Sequence, residues 1–438
     1  MERKKIGVIS LGCDKNRVDT EKMLYSLSGF AEITNEIEKA QIIIINTCAF
    51  LCSSREEAIN EILSCNQLRE NGVLEKIVVT GCLPQKFIDE LFDELVEVDL
   101  FLGTYDYSLL KTGIEEIYKN KRVNLVGKGQ LIKDEQRILT SPSHYAYLKI
   151  ADGCDNRCTY CLIPYIRGKY FSIPIEDLKR EVAELGYTRE LILVAQDITL
   201  YGKDIYRKPS LVKLLKELTA MDEVGSVRLL YCYPDIFSDE LIEEIKNNDK
   251  IIKYVDVPFQ HADDDVLKRM NRRGSKEKYL ELIEKLKKID SMVIRSTFIS
   301  GFPGETQQAH ESLIDFLKKA KLFNAGFFAY SREEGTPAYN FKEQVPEKTK
   351  RQRVKELYAV QKEIMEESLN SYVGKQLKVV CDGIDYEKQS FYGRAYFSCP
   401  GVDGVVYFTS DEDIVQGEEY EVIIEKVYNY DLYGGVKR

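Results

Sequence analysis

Three cysteines within eight residues, in Cys154-Asp155-Asn156-Arg157-Cys158-Thr159-Tyr160-Cys161, stand at C-x3-C-x2-C spacing. A loop this short can fold three thiolates around one centre. Thiolate is a soft ligand that suits iron–sulfur clusters, zinc or Cu(I). A structural zinc site needs four ligands in a closed tetrahedron. This loop offers three, and the nearest histidine, His144, lies before the strand that leads into it. Three thiolates on a four-iron cluster would leave one iron without a protein ligand, an open position for chemistry. Unrelated core cysteines do not gather at ligand spacing, so packing alone explains the triplet poorly.

A second triplet is dispersed along the chain: Cys13, Cys48 and Cys82. Each follows a short apolar run that reads as a strand, at Ile6–Leu11, Ile42–Ile45 and Ile77–Val79. Helical patterns come next, at Val18–Ser28, Ser53–Leu68 and Pro84–Leu95, the last with proline in its first turn. Apolar strands alternating with helices predict a parallel sheet covered on both faces. Ligands of such sheets sit beyond the carboxyl ends of the strands. One sheet would therefore bring Cys13, Cys48 and Cys82 to the same edge. A single cysteine after a buried strand could be a small apolar residue; three at equivalent positions predict a second three-thiolate site. Cys52 and Cys65 fall in the second helix and read as packing, although Cys52, one turn from Cys48, could substitute as a ligand.

The elements that must carry the first triplet run from residue 144 to about 335. Strands are expected at Tyr147–Ile150, Leu191–Val194, Val227–Leu230, Lys253–Val257, Val293–Ile299 and Gly326–Ala329. Helices are expected at Ile175–Leu185, Leu211–Met221, Asp239–Asn247, Lys276–Lys288 and Glu311–Lys321. Repeated strand–helix units make a parallel barrel, and a complete one needs about 250 residues, so an open six-unit partial barrel is expected. The cysteine loop follows its first strand, on the face where barrel sites lie. Gln196-Asp197 follows the second strand. Gly301-Phe302-Pro303-Gly304-Glu305 follows the fifth, where glycine permits close approach to a ligand. Arg295 lies within the fifth strand, and a charge facing the interior must be paired. His261, after the fourth strand, reads as structural. Arg167 and the Lys268–Arg273 run are basic; the latter reads as a solvated helix end, with a substrate-contacting rim as the other reading.

A chain of 438 residues suggests two to four domains. Its 44% hydrophobic and 31% charged residues are those of a soluble globular protein. No stretch approaches the ~20 apolar residues of a membrane span. The charged start runs into a strand without the apolar segment of a signal peptide, so a cytoplasmic location is expected. Eleven cysteines in such a chain point to metal or catalysis, not disulfides. A net charge of −10 argues against a protein whose main task is gripping a nucleic-acid backbone.

The loop Cys154–Cys161, with Tyr160 before its last cysteine, resembles the signature of radical S-adenosylmethionine (SAM) enzymes. That resemblance implies a [4Fe-4S] cluster on Cys154, Cys158 and Cys161, whose open iron takes the amino and carboxylate groups of SAM and which cleaves SAM reductively. It places Tyr160, Gln196, Arg295, Gly301, Gly304 and Glu305 around the cofactor. The glycine segment would lie near the adenosyl group, and Arg295 would meet a carboxylate of SAM or of substrate. Ser10-Leu11-Gly12-Cys13-Asp14-Lys15-Asn16-Arg17-Val18-Asp19, Asn46-Thr47-Cys48 and Thr80-Gly81-Cys82 resemble the amino-terminal domain of methylthiotransferases. This implies a second [4Fe-4S] cluster, on Cys13, Cys48 and Cys82, that handles the inserted sulfur. The S-L-G-C-x-K-N-x-V-D form, and the segments Met270–Gly274 and Tyr330–Thr336, are similar to the RimO branch. The tRNA-modifying branch typically has G-C-Q-M-N at the first of these places.

Lys348–Leu369 reads as a long charged helix bridging domains. Short strands follow at Leu377–Val380, Phe391–Phe397, Gly404–Phe408 and Tyr420–Tyr428, which predicts a small antiparallel barrel. Its place and size resemble a TRAM domain. The expected units are 1–121, a linker at 122–143, 144–345, a bridging helix at 346–370, and 371–438. From Ser368 to Arg438 there are seven Lys/Arg against twelve Asp/Glu. That acidity suits a basic protein partner, such as a small-subunit ribosomal protein, and RNA binding is not expected. Cys232, Cys381 and Cys399 read as packing. The resemblance implies an α/β enzyme that adds a methylthio group to the β-carbon of an aspartate in the twelfth small-subunit ribosomal protein. The same chemistry on tRNA adenosine is one alternative, and a non-catalytic iron–sulfur regulatory protein is another. The reductant protein and the sulfur donor are not read from the sequence.

Overall fold

The computed structural model describes residues 3–119, 122–129 and 136–436. Residues 130–135, within the expected linker, lie outside the described residues, as do 1–2, 120–121 and 437–438.

Ile42–Thr47 is buried at every position, as a strand covered on both faces must be. It is flanked by Lys5–Ser10 and Lys76–Gly81 in a six-stranded sheet completed by short strands at Glu32–Ile33, Leu100–Phe101 and Val123–Asn124. All pairings in the sheet are parallel. Successive side chains point to opposite faces. Ile43 and Ile45 join a core with Ala58, Ile62 and Leu83, while Ile42 and Ile44 join Met23, Leu27 and Ile114 on the other side. The helices are Asp14–Leu27, Cys52–Glu70, Cys82–Glu94 and Leu110–Ile117. Two of them begin at or beside a cysteine of the dispersed triplet. Val123–Asn124 belongs to the segment expected as a linker; two half-buried residues are too few to show a period.

The middle of the chain forms six parallel strands in sequential order: Tyr145–Lys149, Thr188–Val194, Val224–Leu229, Ile251–Asp256, Val293–Ser300 and Asn324–Ala329. The sheet stays open, and helices cover its outer face through Leu178, Val182, Leu214, Leu218, Ile283 and Leu313. Its inner face carries Tyr147, Ile192, Val194, Leu230, Tyr254 and Val293. These share one core with Phe397, Cys399 and Val406 of the last domain. The inside of the partial barrel is thus filled from another part of the chain.

The helix Glu347–Asn370 packs on Asn324–Ala329 and leads into a closed five-stranded barrel. Its strands are Gln376–Asp385, Ser390–Arg394, Val406–Thr409, Glu419–Tyr428 and Asp431–Val436. Four pairings are antiparallel, and Val406–Thr409 runs parallel to Asp431–Val436. An odd number of strands cannot close by alternation alone, so one parallel pair is required. Among the described residues no helix is long and apolar enough to cross a membrane.

Candidate functional site

Strand register brings the dispersed triplet together. Thr47 pairs with Gly81, so Cys48 and Cys82 leave neighbouring strands at one level. Ser10 pairs with Asn46, and the chain turns at Gly12 so that Cys13 sits at the start of the helix Asp14–Leu27. Gly12 has φ +93, and a Cβ there would stand 2.8 Å from the Cys48 Cβ. Only glycine lets this turn pass so close to Cys48. The thiols sense one another. Burial pushes Cys82 up to about 12, against the opposing charge of the Arg167 guanidinium, with Cys13 and Cys48 adding to the rise. Cys48 is raised by burial and by Cys13. Cys65 is buried packing, whereas Cys52 is exposed, with its thiol directed to Glu56 at 3.6 Å.

The clustered triplet lies on a loop whose neck is closed by Ala151–Asp152 pairing with Phe171–Ser172. Cys154 N–H donates to the Gly168 carbonyl at 3.1 Å, and Cys161 N–H to the Cys158 carbonyl at 3.0 Å. Thr159 N–H donates to the Met270 carbonyl at 3.1 Å, and the Asn271 amide to the Arg157 carbonyl at 3.0 Å. Burial raises Cys154 to about 11, and Cys158 adds to it; Cys161 is raised by burial and by both partners. Arg157, Tyr231, Gln260 and Asn271 all have positive φ around this mouth. Non-glycine residues held in that conformation are strained and collect at functional sites.

Both triplets are three soft thiols, buried or half-buried, a donor set that fits iron–sulfur clusters. Among the described residues no three His, Cys, Asp or Glu side chains close on a single ion. A four-iron cluster makes a different demand, since each thiolate takes its own iron.

A buried polar network joins the two triplets. Arg167 donates to Asp19 and Asp152, each at 2.9 Å, and to the Asn16 side chain at 2.6 Å. Lys149 bonds Asp19 and, at 3.1 Å, Asp152. Asn16 in turn donates to the carbonyls of Leu11 and Thr47, each at 3.1 Å. Asp152, two residues before Cys154, would be raised by burial, but Arg167 and Lys149 hold it well below the ordinary carboxylate range. Sequence reasoning noted Arg167 only as basic and passed over Asp19, Lys149 and Asp152. All four are buried, and nothing local announces that they pair.

The other expected residues surround the same mouth in different ways. Gln196 donates to Asp152 at 2.8 Å, and its buried Oε1 has no partner among the described residues. Asp197 accepts from Asn156 at 3.0 Å and from Thr199. The Tyr160 ring meets Phe302 edge-on at 6.4 Å. Gly301 and Gly304 have φ +77 and +86. Glu305 points inward: it accepts from Gly301 N–H at 2.5 Å and from Arg353 at 2.9 Å, with His261 at 3.5 Å. Its carboxylate therefore shapes the turn from behind. Arg295 faces the interior, 2.7 Å from Asp256 and 3.6 Å from Asp403 of the last domain. Tyr254 also donates to Asp403, at 2.7 Å. Arg272, read as part of a solvated helix end, is instead buried over the Tyr233 ring, with its guanidinium carbon 4.2 Å from the centroid.

Three family models match the chain: the radical SAM superfamily over residues 148–317, the uncharacterized protein family UPF0004 over 5–103, and the TRAM domain over 373–436. The chain is 47% identical to the ribosomal protein uS12 methylthiotransferase RimO of Thermoanaerobacter sp. (strain X514), over 98% of this chain and 99% of the relative. It is 46% identical to that of Caldanaerobacter subterraneus subsp. tengcongensis, over 98% and 99%. For that of Clostridium botulinum (strain Hall) the identity is 42%, over 100% and 99%. The fold is similar to the radical SAM methyltransferase TsrM from Kitasatospora setae, solved with cobalamin and a [4Fe-4S] cluster. The TM-score is 0.55 at 12% identity, covering 77% of each chain. It is also similar to the cobalamin-dependent radical SAM enzyme OxsB, with a TM-score of 0.52 at 12% identity, over 84% of this chain and 56% of that one.

Proposed function

The chain belongs to the RimO family of radical SAM methylthiotransferases, and we propose that it adds a methylthio group to the β-carbon of an aspartate of ribosomal protein uS12. The observation that carries this reading is the full-length identity of 42–47% to relatives named for that activity. The two thiol triplets on adjoining domain faces support it.

Cys154, Cys158 and Cys161 would hold one [4Fe-4S] cluster, and Cys13, Cys48 and Cys82 a second. When bound, these clusters and SAM supply the reductive cleavage that activates an unactivated carbon, and the sulfur and methyl group that it receives. The protein orients the partners and keeps water out. Asp152 fixes Gln196, whose unpaired Oε1 is an acceptor for a polar group of SAM. The turn Gly301–Gly304, pinned by Glu305, would let the adenosyl group approach the backbone, with Tyr160 behind it. Arg295, loosely shared between Asp256 and Asp403, would serve a carboxylate of SAM or substrate.

The proposed units are 1–121, the linker 122–143, 144–345, the helix 346–370 and the TRAM barrel 371–438. An excess of carboxylates on the barrel favours a basic ribosomal protein over RNA as its partner. A ribosomal substrate would place the enzyme in the cytoplasm. After anaerobic reconstitution with iron and sulfide, the protein would be given SAM, reductant and either ribosomes or unmodified tRNA. Mass spectrometry should find a methylthio gain on an aspartate-containing uS12 peptide. A methylthio nucleoside with no peptide change would refute the reading.

A further inference from the structure

One lysine side chain at the seam of the three domains is packed over an aromatic ring. Lys15 lies two residues after Cys13, in the first turn of the helix Asp14–Leu27. Its residue is 7% exposed, and its Nζ stands 3.6 Å from the centroid of the Tyr231 ring. It forms no salt bridge among the described residues. Four other buried cations along the domain seams are paired, Lys149 and Arg167 with Asp19 and Asp152, and Arg228 and Arg394 with Glu190, as is the half-buried Arg295 with Asp256; Arg272, buried within the central domain, donates instead to the Pro258 carbonyl.

An ammonium partly withdrawn from water calls for an anionic partner. An aromatic face meets only part of that need. The position adds to the imbalance. A helix start favours anions and disfavours cations, and this helix has no side-chain cap. Lys15 and the positive end of its helix therefore converge on one place, where the one acid of the first turn, Asp14, makes no salt bridge with Lys15. The wall opposite is Tyr231, held at φ 60, with its hydroxyl donating to Asp14 at 3.4 Å. Beyond Tyr231 lie Asp256, whose carboxylate accepts from the Tyr231 N–H at 3.2 Å, and Arg295.

We propose that Lys15 binds the carboxylate of the target aspartate and so makes the enzyme select aspartate over a neutral residue. This rests on the uS12 reading above. A carboxylate seated on Lys15 leaves its β-carbon one bond away, beside Cys13 and hence beside the thiols proposed to carry the sulfur-handling cluster. The same ammonium would make the chamber poor for an uncharged acceptor.

The test uses the reconstituted full-length enzyme and two forms of uS12, one with the target aspartate and one with asparagine in its place. Binding is measured as Kd and turnover as kcat/KM. The wild type should prefer the aspartate form by at least about tenfold, the value of one charge-assisted contact. Lys15→Met should bring that ratio close to one, mainly through Kd and KM, with iron content and the cluster EPR signals unchanged. Lys15→Arg should keep the preference. Equal binding of both forms by the wild type overturns the proposal without any variant. So does a Lys15→Met enzyme that keeps the preference. A variant that loses it together with iron, or with an altered signal of the Cys13 cluster, overturns it in favour of a counter-ion to that cluster. A wild type that modifies no uS12 overturns the uS12 reading itself, and this proposal with it.

Discussion

Arg167 shows how much of the site depends on single residues that the cysteine spacing does not single out. It holds Asp19 of the first domain and Asp152 of the second, and its charge acts on the Cys82 thiol. Replacing it by methionine leaves two buried carboxylates with Lys149 alone. Removing one partner of a buried pair costs about 3–5 kcal/mol. Arg167→Met should therefore lower the unfolding free energy measured in urea by that amount and reduce iron retention after gel filtration. The cysteines can be tested more directly. Removing either triplet should take away about half of the bound iron; an iron content unaffected by changing Cys13, Cys48 and Cys82 to alanine would sink the second cluster. The cysteines were legible because ligand spacing and strand-end position are local patterns. Arg167, Lys149 and Lys15 were not, since a charge in the sequence says nothing of whether folding will bury it.

Among the elements, the three long strands of the first sheet and all six of the central one were visible as apolar runs, and the open six-stranded form followed from length; the two-residue strands Glu32–Ile33, Leu100–Phe101 and Val123–Asn124 were not foreseen. Boundaries were less readable. The first helix begins at Asp14 and not at Val18, because its opening turn is polar in sequence although much of it is buried. The turn after the fifth central strand is where element geometry bears on chemistry. Gly301 has φ +77, and a Cβ there would meet the Lys350 side chain at 2.2 Å. Lys350 can move, but the backbone conformation remains unfavourable to alanine. Gly301→Ala should weaken SAM binding about tenfold, read by equilibrium dialysis, with iron content unchanged. A variant binding SAM as the wild type does would remove this turn from the SAM site.

For the whole molecule, the last domain is part of the site and not an appendage. Glu190 lies between Arg228, on the neighbouring strand, and Arg394 of the small barrel. Burial alone would raise its carboxyl, but the two guanidinium groups hold it at about 2, against an ordinary 4.5. A depressed folded value means that its contribution, on the order of 3 kcal/mol, is complete above about pH 4.5 and is lost as pH falls toward 2. Acid titration of stability should show this loss, and Glu190→Gln should flatten it. Deleting residues 371–438 would uncover Tyr147, Ile192, Val194, Leu230, Tyr254 and Val293, so the truncated chain should be recovered mostly as aggregate. The sequence showed that the barrel is acidic. It could not show that Asp382 and Asp403 are turned inward onto Arg394 and Arg295, which leaves fewer carboxylates for a partner than the raw count suggests. Asp403 has a consequence for ancestry as well. A recombination that exchanged this barrel for another of equal size would take Arg394 from Glu190 and Asp403 from Arg295. The three units can therefore be passed on only as a set, and a lineage that shuffled them would have to rebuild the seams before it regained a working chamber.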